Sequence, residues 1–320
     1  MHIIKRYLFC AAALLSIVLF SVKALAETRI SGLLFSKEAR YVEALQGFKD
    51  MLKKAGYEEP NTTFKIENAE GNKAKAAELV QKLSEEKPDL IVTLGTSSTV
   101  ATSRVIKDVP IIFSVVYDPV VAGIAKTWES SGNNTTGTSS QISMSKLMDI
   151  LNHFTSVKKL AVLYTPGEKN SEASLKDLQK VEASYEIKVI PVRLTSIEEI
   201  HQLLPEVLRA TDAIYVTGSN LVDSQVAIIS DMATKAKIPT ITHLEDLVEK
   251  GVLMGVCADS YDMGQNAGAK AVEILKGAKP SSLPIDFPKK FNVILNIKTA
   301  QKGQFQIPVE FMKTITKKIE

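Results

Sequence analysis

The sequence predicts an α/β protein made of two lobes, each built around a parallel sheet. Three observations lead to this fold class. Apolar runs of strand length alternate with helical patterns, this series stops and restarts halfway along the chain, and polar residues directly follow several of the strands. Alternating strands and helices form parallel sheets covered on both faces, and two series of similar length favour two lobes over one long sheet.

The first series begins with a buried strand at residues 28–35. A segment with apolar residues at helical spacing follows and ends at Gly56, a residue suited to a helix C-terminus. The elements predicted next are a strand at 62–66, a helix at 74–83, and strands at 89–94 and 109–116. Together they form a βαβαβ layer with right-handed crossovers.

The second series has predicted strands at 159–164, 187–192, 212–216 and 238–241, with helices at 171–183, 196–208 and 222–235. The last quarter adds a strand at 252–256, a helix that ends at Gly277 and a strand at 291–295. Between the two series lies Ser130–Ser140, which is rich in Gly, Ser, Thr and Asn. This segment is either a surface loop or the start of a crossover between lobes, because its composition fits both.

The N-terminus has the layout of a secretory signal peptide. Lys5 and Arg6 precede an apolar run at 7–20, and Ala24-Leu25-Ala26 forms a small-residue cleavage site. We expect cleavage after Ala26 and a periplasmic or other extracytoplasmic location. An uncleaved anchor is the alternative, but the apolar run is shorter than the roughly 20 residues that span a bilayer.

Cleavage would remove three of the 39 basic residues and no acidic one, leaving 36 basic against 36 acidic residues. This balance lacks the basic footprint of a nucleic-acid binder, so we expect no nucleic-acid partner. Cleavage would also leave Cys257 without a second cysteine, which excludes an internal disulfide. Since Cys257 lies within or beside an apolar strand, we expect a buried thiol.

Signatures of catalysis are missing from the sequence. The histidines after the cleavage site, His153, His201 and His243, are far apart and not in metal-ligand spacing. There is no GxSxG elbow, no Walker A sequence and no GxGxxG after a strand. We therefore expect a protein that is not an enzyme, with no catalytic residue, no metal and no cofactor.

The strongest candidate site follows the strand at 89–94. Gly95 permits a tight turn, and Thr96, Ser97 and Ser98 then open a helix. Free backbone N–H groups and hydroxyls at a helix N-terminus are suited to a carboxylate. An ordinary helix cap is the alternative, but a cap uses only one hydroxyl.

Other strand ends also carry polar residues. Tyr117 and Asp118 follow the strand at 109–116, where they form either a turn or part of a cleft rim. Ser219 and Asn220 follow the strand at 212–216. Asp259 follows the strand at 252–256, where it either caps the next helix or pairs with a ligand ammonium group. Ligands of open α/β sheets bind at such strand ends.

Several blocks in order resemble a known family. The resemblance rests on GTSSTVATSRVIKDVPIIFSVVYDPVVAGI (95–124), NNTTGTSS (133–140), LAVLYTPGEKNS (160–171) and GVCADSYDMGQNAGAKAVEILKGAKPSSLPIDFPKKFNVILNIKTA (255–300). These blocks resemble the ABC-transporter substrate-binding family that includes tryptophan- and tyrosine-binding members. The likeness covers essentially the whole chain after residue 26.

The resemblance implies a type I periplasmic-binding fold, in which two Rossmann-like lobes are joined by three crossovers and hold the ligand between them. It places the crossovers near residues 139–143, 257–261 and 285–290. Lobe 1 would then comprise residues 27–140 and 259–286, and lobe 2 residues 141–258 and 287–320.

The resemblance also implies roles for individual residues. Thr96, Ser97 and Ser98 would hold a carboxylate and Asp259 an amino group, and Asn170 and Ser171 would face the cleft.

Three positions differ from the pattern common among relatives. Ser219 stands where many have Asp, Ser260 where a Tyr is common, and the first strand-end loop, which includes Ser36, lacks their Gln and His. These differences leave the fold unaffected and the ligand's side chain open.

The sequence therefore predicts the solute-binding subunit of an ABC importer. It would be a monomer that captures a small carboxylated or zwitterionic ligand, such as an amino acid with an aromatic or apolar side chain, and docks on a permease in the inner membrane. A sensory binding protein that presents its ligand to a membrane receptor is the alternative. A secreted enzyme using Asp118 and Asp259 as a carboxylate pair is a third hypothesis.

Overall fold

The computed structural model describes residues 27–320, so the predicted signal peptide lies outside the described residues. Twelve strands are described: β1 (Thr28–Leu34), β2 (Thr62–Asn68), β3 (Leu90–Leu94), β4 (Ile111–Val116), β5 (Thr135–Ser139), β6 (Lys159–Tyr164), β7 (Lys188–Arg193), β8 (Ala213–Val216), β9 (Thr240–Thr242), β10 (Met254–Ala258), β11 (Phe291–Asn296) and β12 (Lys317–Ile319). No helix within 27–320 is both long and apolar enough to cross a membrane.

The described α-helices are α1 (Ala39–Lys54), α2 (Lys73–Glu86), α3 (Thr96–Val105), α4 (Met144–Phe154), α5 (Lys169–Lys180), α6 (Glu182–Tyr185), α7 (Ile197–Ala210), α8 (Asn220–Ser224), α9 (Val226–Lys235), α10 (Glu245–Glu249), α11 (Ser260–Leu275), α12 (Ile297–Lys302) and α13 (Val309–Thr314). A short 3-10 turn spans Pro280–Ser282.

The strands form two sheets, which confirms the predicted fold class. The first has the order β2-β1-β3-β4-β5 and is entirely parallel. The second has the order β12-β11-β10-β9-β8-β6-β7 and is parallel except where β10 meets β11. Strands β3 and β4 are buried along their whole length because helices cover both faces of the sheet. Their apolar runs are therefore continuous.

The chain passes between the two sheets three times. It leaves the first sheet after Ser139, returns through α11 after Ala258, and leaves again where Asp286 forms a bridge with Thr138 before β11 begins at Phe291. Helix α11 packs closely on α1, and the added Cβ of an alanine at Gly264 would lie 1.9 Å from the Ala44 carbonyl oxygen. The glycine thus permits this helix contact.

Ser130–Ser140 is not a surface loop over its second half. Residues Thr135–Ser139 form β5, which is buried and pairs with β4. β-branched threonine fits a pleated strand, and the hydroxyls are hydrogen-bonded internally: Ser114 and Thr138 share a 2.9 Å bond, and Ser139 donates to the Tyr117 carbonyl at 2.6 Å. Polar composition therefore concealed a buried strand, which leads directly into the first crossover.

Candidate ligand-binding site

The carboxyl ends of strands from both sheets meet at the boundary between the lobes. Strands β1, β3 and β4 contribute from the first lobe, and β6, β8 and β9 contribute from the second. Three cavities lie along this boundary: a small one, which we call the central cavity, and two larger ones, which we call the flanking cavities. The two flanking cavities share Phe35, and the first of them shares Thr96 and Asn170 with the central cavity. This is the place where open α/β sheets bind ligands.

The first flanking cavity, the α3 compartment, has a volume of about 250 Å³. It is lined by Phe35, Lys73, Ala76, Thr96, Ser97, Val100, Ala101, Arg104, Gly167, Glu168, Lys169 and Asn170. Three of these side chains are cationic and one is anionic. The compartment therefore combines a positive rim with an apolar wall, and it contains the start of α3.

The N-terminus of α3 opens towards this compartment. Gly95 precedes the helix with φ of 96° and lies against the Tyr41 ring, so a side chain there would be both strained and crowded. No side chain caps the helix. The hydroxyl of Ser98 donates to the Leu94 carbonyl at 2.7 Å and is buried, whereas Thr96 and Ser97 line the compartment. The first-turn N–H groups have no acceptor within the helix, which makes this end a ready anion site.

The central cavity has a volume of only about 20 Å³, enough for about one water molecule. Its lining comprises Arg40, Tyr41, Thr96, Val115, Tyr117, Ser140, Asn170, Gly218, His243 and Leu244. Both lobes contribute to it, so the lobes are closed on one another. A ligand larger than water can reach this position only if the lobes separate.

An aromatic pair dominates the central cavity. Tyr117 and His243 meet edge to face with ring centroids 5.1 Å apart, and the Tyr117 hydroxyl donates to Asp177 at 3.1 Å. His243 Nδ1 lies 2.6 Å from the Tyr215 hydroxyl. Burial, with the nearby Arg40 charge, lowers the pKa of His243 to about 3. The imidazole is therefore neutral at physiological pH and presents an aromatic surface to the cleft.

Val115 brings backbone strain to the same cavity. It has φ of 57°, and the pairing of β4 with β5 shifts in register between Phe113 and Val116. A β-branched residue in the left-handed region is uncommon, and such strain concentrates at ligand sites. The irregularity turns the end of β4, and Tyr117 follows it into the cleft.

The second flanking cavity, the acidic compartment, has a volume of about 500 Å³. It is lined by Phe35, Ser36, Glu38, Glu70, Gly71, Asn220, Asp223, Ser224, Val226, Ala227 and Lys250. Residues up to Gly71 belong to the first lobe and the others to the second. Carboxylates outnumber cations in this lining, in contrast to the α3 compartment.

A buried ion cluster joins the lobes beside the acidic compartment. Arg40 of α1 donates to Asp246 and, at 2.8 Å, to Asp223, and Lys250 lies 2.5 Å from Asp223. Burial alone would lower the pKa of Arg40, but the surrounding carboxylates, led by Asp246, raise it well above its ordinary value. Burial also works to raise the pKa of Asp223, but Arg40 and Lys250 lower it overall. Burial raises the pKa of Asp246, although the Arg40 charge acts in the opposite direction. The cluster connects both lobes.

The structure brings six of the predicted site residues to the cleft cavities: Ser36, Thr96, Ser97, Tyr117, Asn170 and Asn220. The Asn170 side chain donates to the Gly218 carbonyl at 2.6 Å, which fixes its orientation. These residues come from both lobes.

The other five predicted residues do not line these cavities. They are Ser98, Asp118, Ser171, Ser219 and Asp259. Asp118 accepts from the Val120 and Val121 N–H groups, and Ser219 caps α8. Ser171 is buried and donates to the Thr165 and Glu168 carbonyls, and Asp259 caps α11 by accepting from Asp262 N–H at 2.8 Å. Each side chain satisfies a local backbone group.

Sequence reasoning missed the charged and aromatic members of the cleft: Glu38, Arg40, His243, Asp246 and Lys250. The sequence does carry a signal for three of them. Glu38 and Arg40 follow β1 closely, and His243 directly follows β9. These three residues lie at or shortly after strand ends, where ligands of open α/β sheets bind.

Comparisons of the sequence with known proteins show the family of this chain. The family model described as ABC transporter substrate binding protein matches residues 33–319. The chain is 30% identical over 266 residues to the tyrosine-binding protein of Clostridioides difficile, covering 82% of this chain and 77% of that protein.

Two solved structures, one with ligand and one without, are similar to this chain. An ABC domain from Streptococcus pneumonia in complex with L-Trp is 26% identical, with a TM-score of 0.85 over 92% of this chain and 100% of that one. The ligand-free, open structure of a substrate-binding protein from Clostridium difficile is 29% identical, with a TM-score of 0.74 over the same shares. Despite slightly lower identity, the ligand-bound relative superposes better, in agreement with closed lobes. The chain belongs to the family of ABC transporter substrate-binding proteins.

Proposed function

We propose that this chain is the extracytoplasmic solute-binding subunit of an ABC importer, and that it captures an amino acid with an aromatic or apolar side chain between its lobes. The observation that carries the proposal is the uncapped N-terminus of α3, which opens into a cleft cavity with a positive rim and an apolar wall. Such a helix end binds anions, including carboxylates, and an apolar side chain suits the wall.

The carboxylate would lie at Thr96 and Ser97, with Arg104 and Lys169 adding long-range attraction at the rim. Phe35, Val100 and Ala101 provide apolar surface beside that position. The Tyr117–His243 pair adds aromatic edges and faces in the central cavity. Relatives that bind tyrosine and L-Trp support the same ligand class.

In this proposal the protein acts by hinge closure and catalyses no reaction. The ligand enters the open cleft, the lobes close, and the closed form docks as a monomer on a permease in the inner membrane. The signal peptide at residues 1–26 would direct export and be removed after Ala26. Family membership supports the extracytoplasmic location and the permease partner.

The test is a thermal-shift and calorimetric screen of residues 27–320 against the twenty L-amino acids. A ligand at one hundred times its Kd should stabilise the protein by about 2.7 kcal/mol, which a melting curve detects. We expect aromatic members, tyrosine or tryptophan first, to raise the melting temperature. A protein that no amino acid stabilises would contradict the proposal.

A charge placed at the α3 N-terminus makes the test specific. Ser97 is the second residue of α3, and an aspartate there is compatible with the helix but repels a carboxylate. Ser97→Asp should weaken binding of the best amino acid at least about tenfold, the equivalent of about 1.4 kcal/mol. Ser145, the second residue of α4 and outside these cavities, supplies the matched control. Ser145→Asp should leave the affinity for the amino acid unchanged. Equal affinities in the two variants would contradict the proposal that the ligand carboxylate binds at the N-terminus of α3.

A further inference from the structure

Oxygen atoms without hydrogen-bond partners cluster on one side of the cleft. Within residues 27–320, four buried side-chain oxygens lack a partner: Ser36 Oγ, Glu38 Oε2, Ser230 Oγ and Asp246 Oδ1. Ser36 and Glu38 line the acidic compartment, and Asp246 belongs to the ion cluster beside it. Buried polar atoms are normally paired, so two unpartnered oxygens in the lining of one compartment, with a third in the neighbouring ion cluster, point to a missing donor.

Glu38 is the carboxylate of this compartment that has no cation of its own. Among the described residues, Glu70 pairs with Lys75 at 2.8 Å and Asp223 pairs with Arg40 and Lys250, but Glu38 forms no ion pair. Burial raises the pKa of Glu38, although the charges of Arg40 and Lys250 act in the opposite direction. A positive group in the compartment would offset the cost of burying this carboxylate.

Ser36 supplies the second oxygen. Its side chain is 7% exposed, and its hydroxyl has no partner although it lies two residues from Glu38 along the same loop. A hydroxyl and a carboxylate oxygen together accept from a group with several N–H donors, and a primary ammonium has three. A metal ion is a poorer fit, because the described residues contain no group of three or more His, Cys, Asp or Glu side chains placed to hold one.

We propose that Ser36 and Glu38 form an ammonium-binding subsite of the cleft. The inference rests on the proposed function, since it assigns the cationic end of the captured ligand. The positive α3 compartment and the acidic compartment share Phe35, so the cleft is complementary to a ligand with a negative and a positive end.

The subsite is completed only when the lobes are closed. Ser36 and Glu38 belong to the first lobe, whereas Asn220 and Asp223 cover the compartment from the second. An ammonium group held here would therefore lie between the two lobes. Its source is either the α-ammonium of the amino acid or an amine further along the ligand.

Glu38→Gln tests the subsite, because it keeps the shape of the side chain and removes its charge. The matched control is Glu70→Gln, which changes a carboxylate of the same compartment that is exposed and already paired with Lys75. The probes are the best-binding L-amino acid of the twenty, its des-amino analogue, which keeps the carboxylate, and L-lysine, which adds a distal amine.

We expect Glu38→Gln to weaken binding of the amino acid at least about tenfold, as loss of one charge-assisted hydrogen bond does. Ser36→Ala should weaken it less, and Glu70→Gln should leave it unchanged. If the α-ammonium is the group bound, the des-amino analogue binds the wild type and Glu38→Gln equally well. If the group is a distal amine, L-lysine is the probe whose binding falls in Glu38→Gln.

The melting temperature of ligand-free Glu38→Gln should not fall, because the variant removes a buried charge without a partner. This separates a binding role from a structural one. Amino-acid binding by the wild type with unchanged affinity in Glu38→Gln would refute the subsite alone and leave water as the missing donor. Absence of any amino-acid binding by the wild type would refute the proposed function instead.

Discussion

Replacing Arg40 with methionine should open the cleft. Arg40 is the first-lobe member of the buried ion cluster, and its guanidinium reaches Asp223 and Asp246 across the boundary between the lobes. Methionine keeps an unbranched apolar stem but removes every hydrogen bond and the charge. Asp246, which is 3% exposed, would then keep only Lys250 at 3.9 Å.

Removing one partner from a buried ion pair costs about 3–5 kcal/mol. Lys250 remains 2.5 Å from Asp223, so the lower end of this range is appropriate. About 3 kcal/mol corresponds to a change of roughly 150-fold in an equilibrium constant. Because opening the lobes would return Asp246 to water, this penalty falls on the closed state and shifts the population towards the open one.

Small-angle X-ray scattering measures the shift between the closed and open populations. Because the protein is free of ligand, a direct contact between Arg40 and a ligand cannot contribute to the result. We expect a larger radius of gyration for Arg40→Met than for the wild type. The matched control is Arg29→Met, which removes an exposed pair with Asp89 at 4.0 Å, a contact worth at most about 1 kcal/mol. Identical scattering from wild type and Arg40→Met would refute the role of the cluster in closure.

Three further predictions concern stability and reactivity. Because the pKa of His243 is about 3 in the folded protein against about 6.5 unfolded, the unfolded state binds the extra proton between these values. The free energy of unfolding should therefore fall as pH drops from 6.5, by up to about 2.7 kcal/mol at pH 4.5. Urea titrations at several pH values should show a weaker pH dependence of this free energy for His243→Asn. The control His201→Asn, at an exposed site, should keep the pH dependence of the wild type. Gly264→Ala should destabilise the protein by about 1–3 kcal/mol, because the added methyl group would push α11 away from the Ala44 carbonyl. The control Glu273→Ala, on the exposed face of α11, should not destabilise it. Equal melting curves for the two variants would contradict this prediction. Cys257 is buried, and burial raises the pKa of its thiol well above the ordinary value. A disulfide reagent should therefore label Cys257 in urea but not in the native protein. Rapid labelling of the native protein would contradict the buried placement.

The elements that could be predicted from sequence are those with a local periodic signal. The strand predicted at 159–164 has these same bounds in the structure, and the bounds of the other predicted strands differ from the observed ones by at most two residues at either end. β5 escaped prediction because its threonines and glycine have the composition of a loop, while their burial depends on β4 and on the return of the chain at Asp286. The helix predicted at 222–235 is divided at Gln225 into α8 and α9.

Some of the residues selected by strand-end position line the cleft cavities, and others do not. Thr96 and Ser97 line the α3 compartment, as their strand-end position suggests, and Asn170 lines it as the resemblance implies. Ser98, Asp118 and Ser219 have strand-end positions as well, but their oxygens are occupied by nearby backbone groups. Which of two neighbouring hydroxyls faces the cleft depends on its position around the helix and on nearby carbonyl groups that can accept its hydrogen bond. The residue type alone predicts neither.

By itself the sequence determined the two-lobed α/β fold, the buried Cys257 and the family, because alternation, apolar runs and ordered blocks are properties of the chain read in one dimension. Only the tertiary structure placed Arg40 against Asp223 and Asp246, which are separated from it by about two hundred residues. The same holds for the unpaired oxygens of Ser36 and Glu38. Whether a buried charge has a partner depends on which lobe closes over it, and that is a property of the folded molecule.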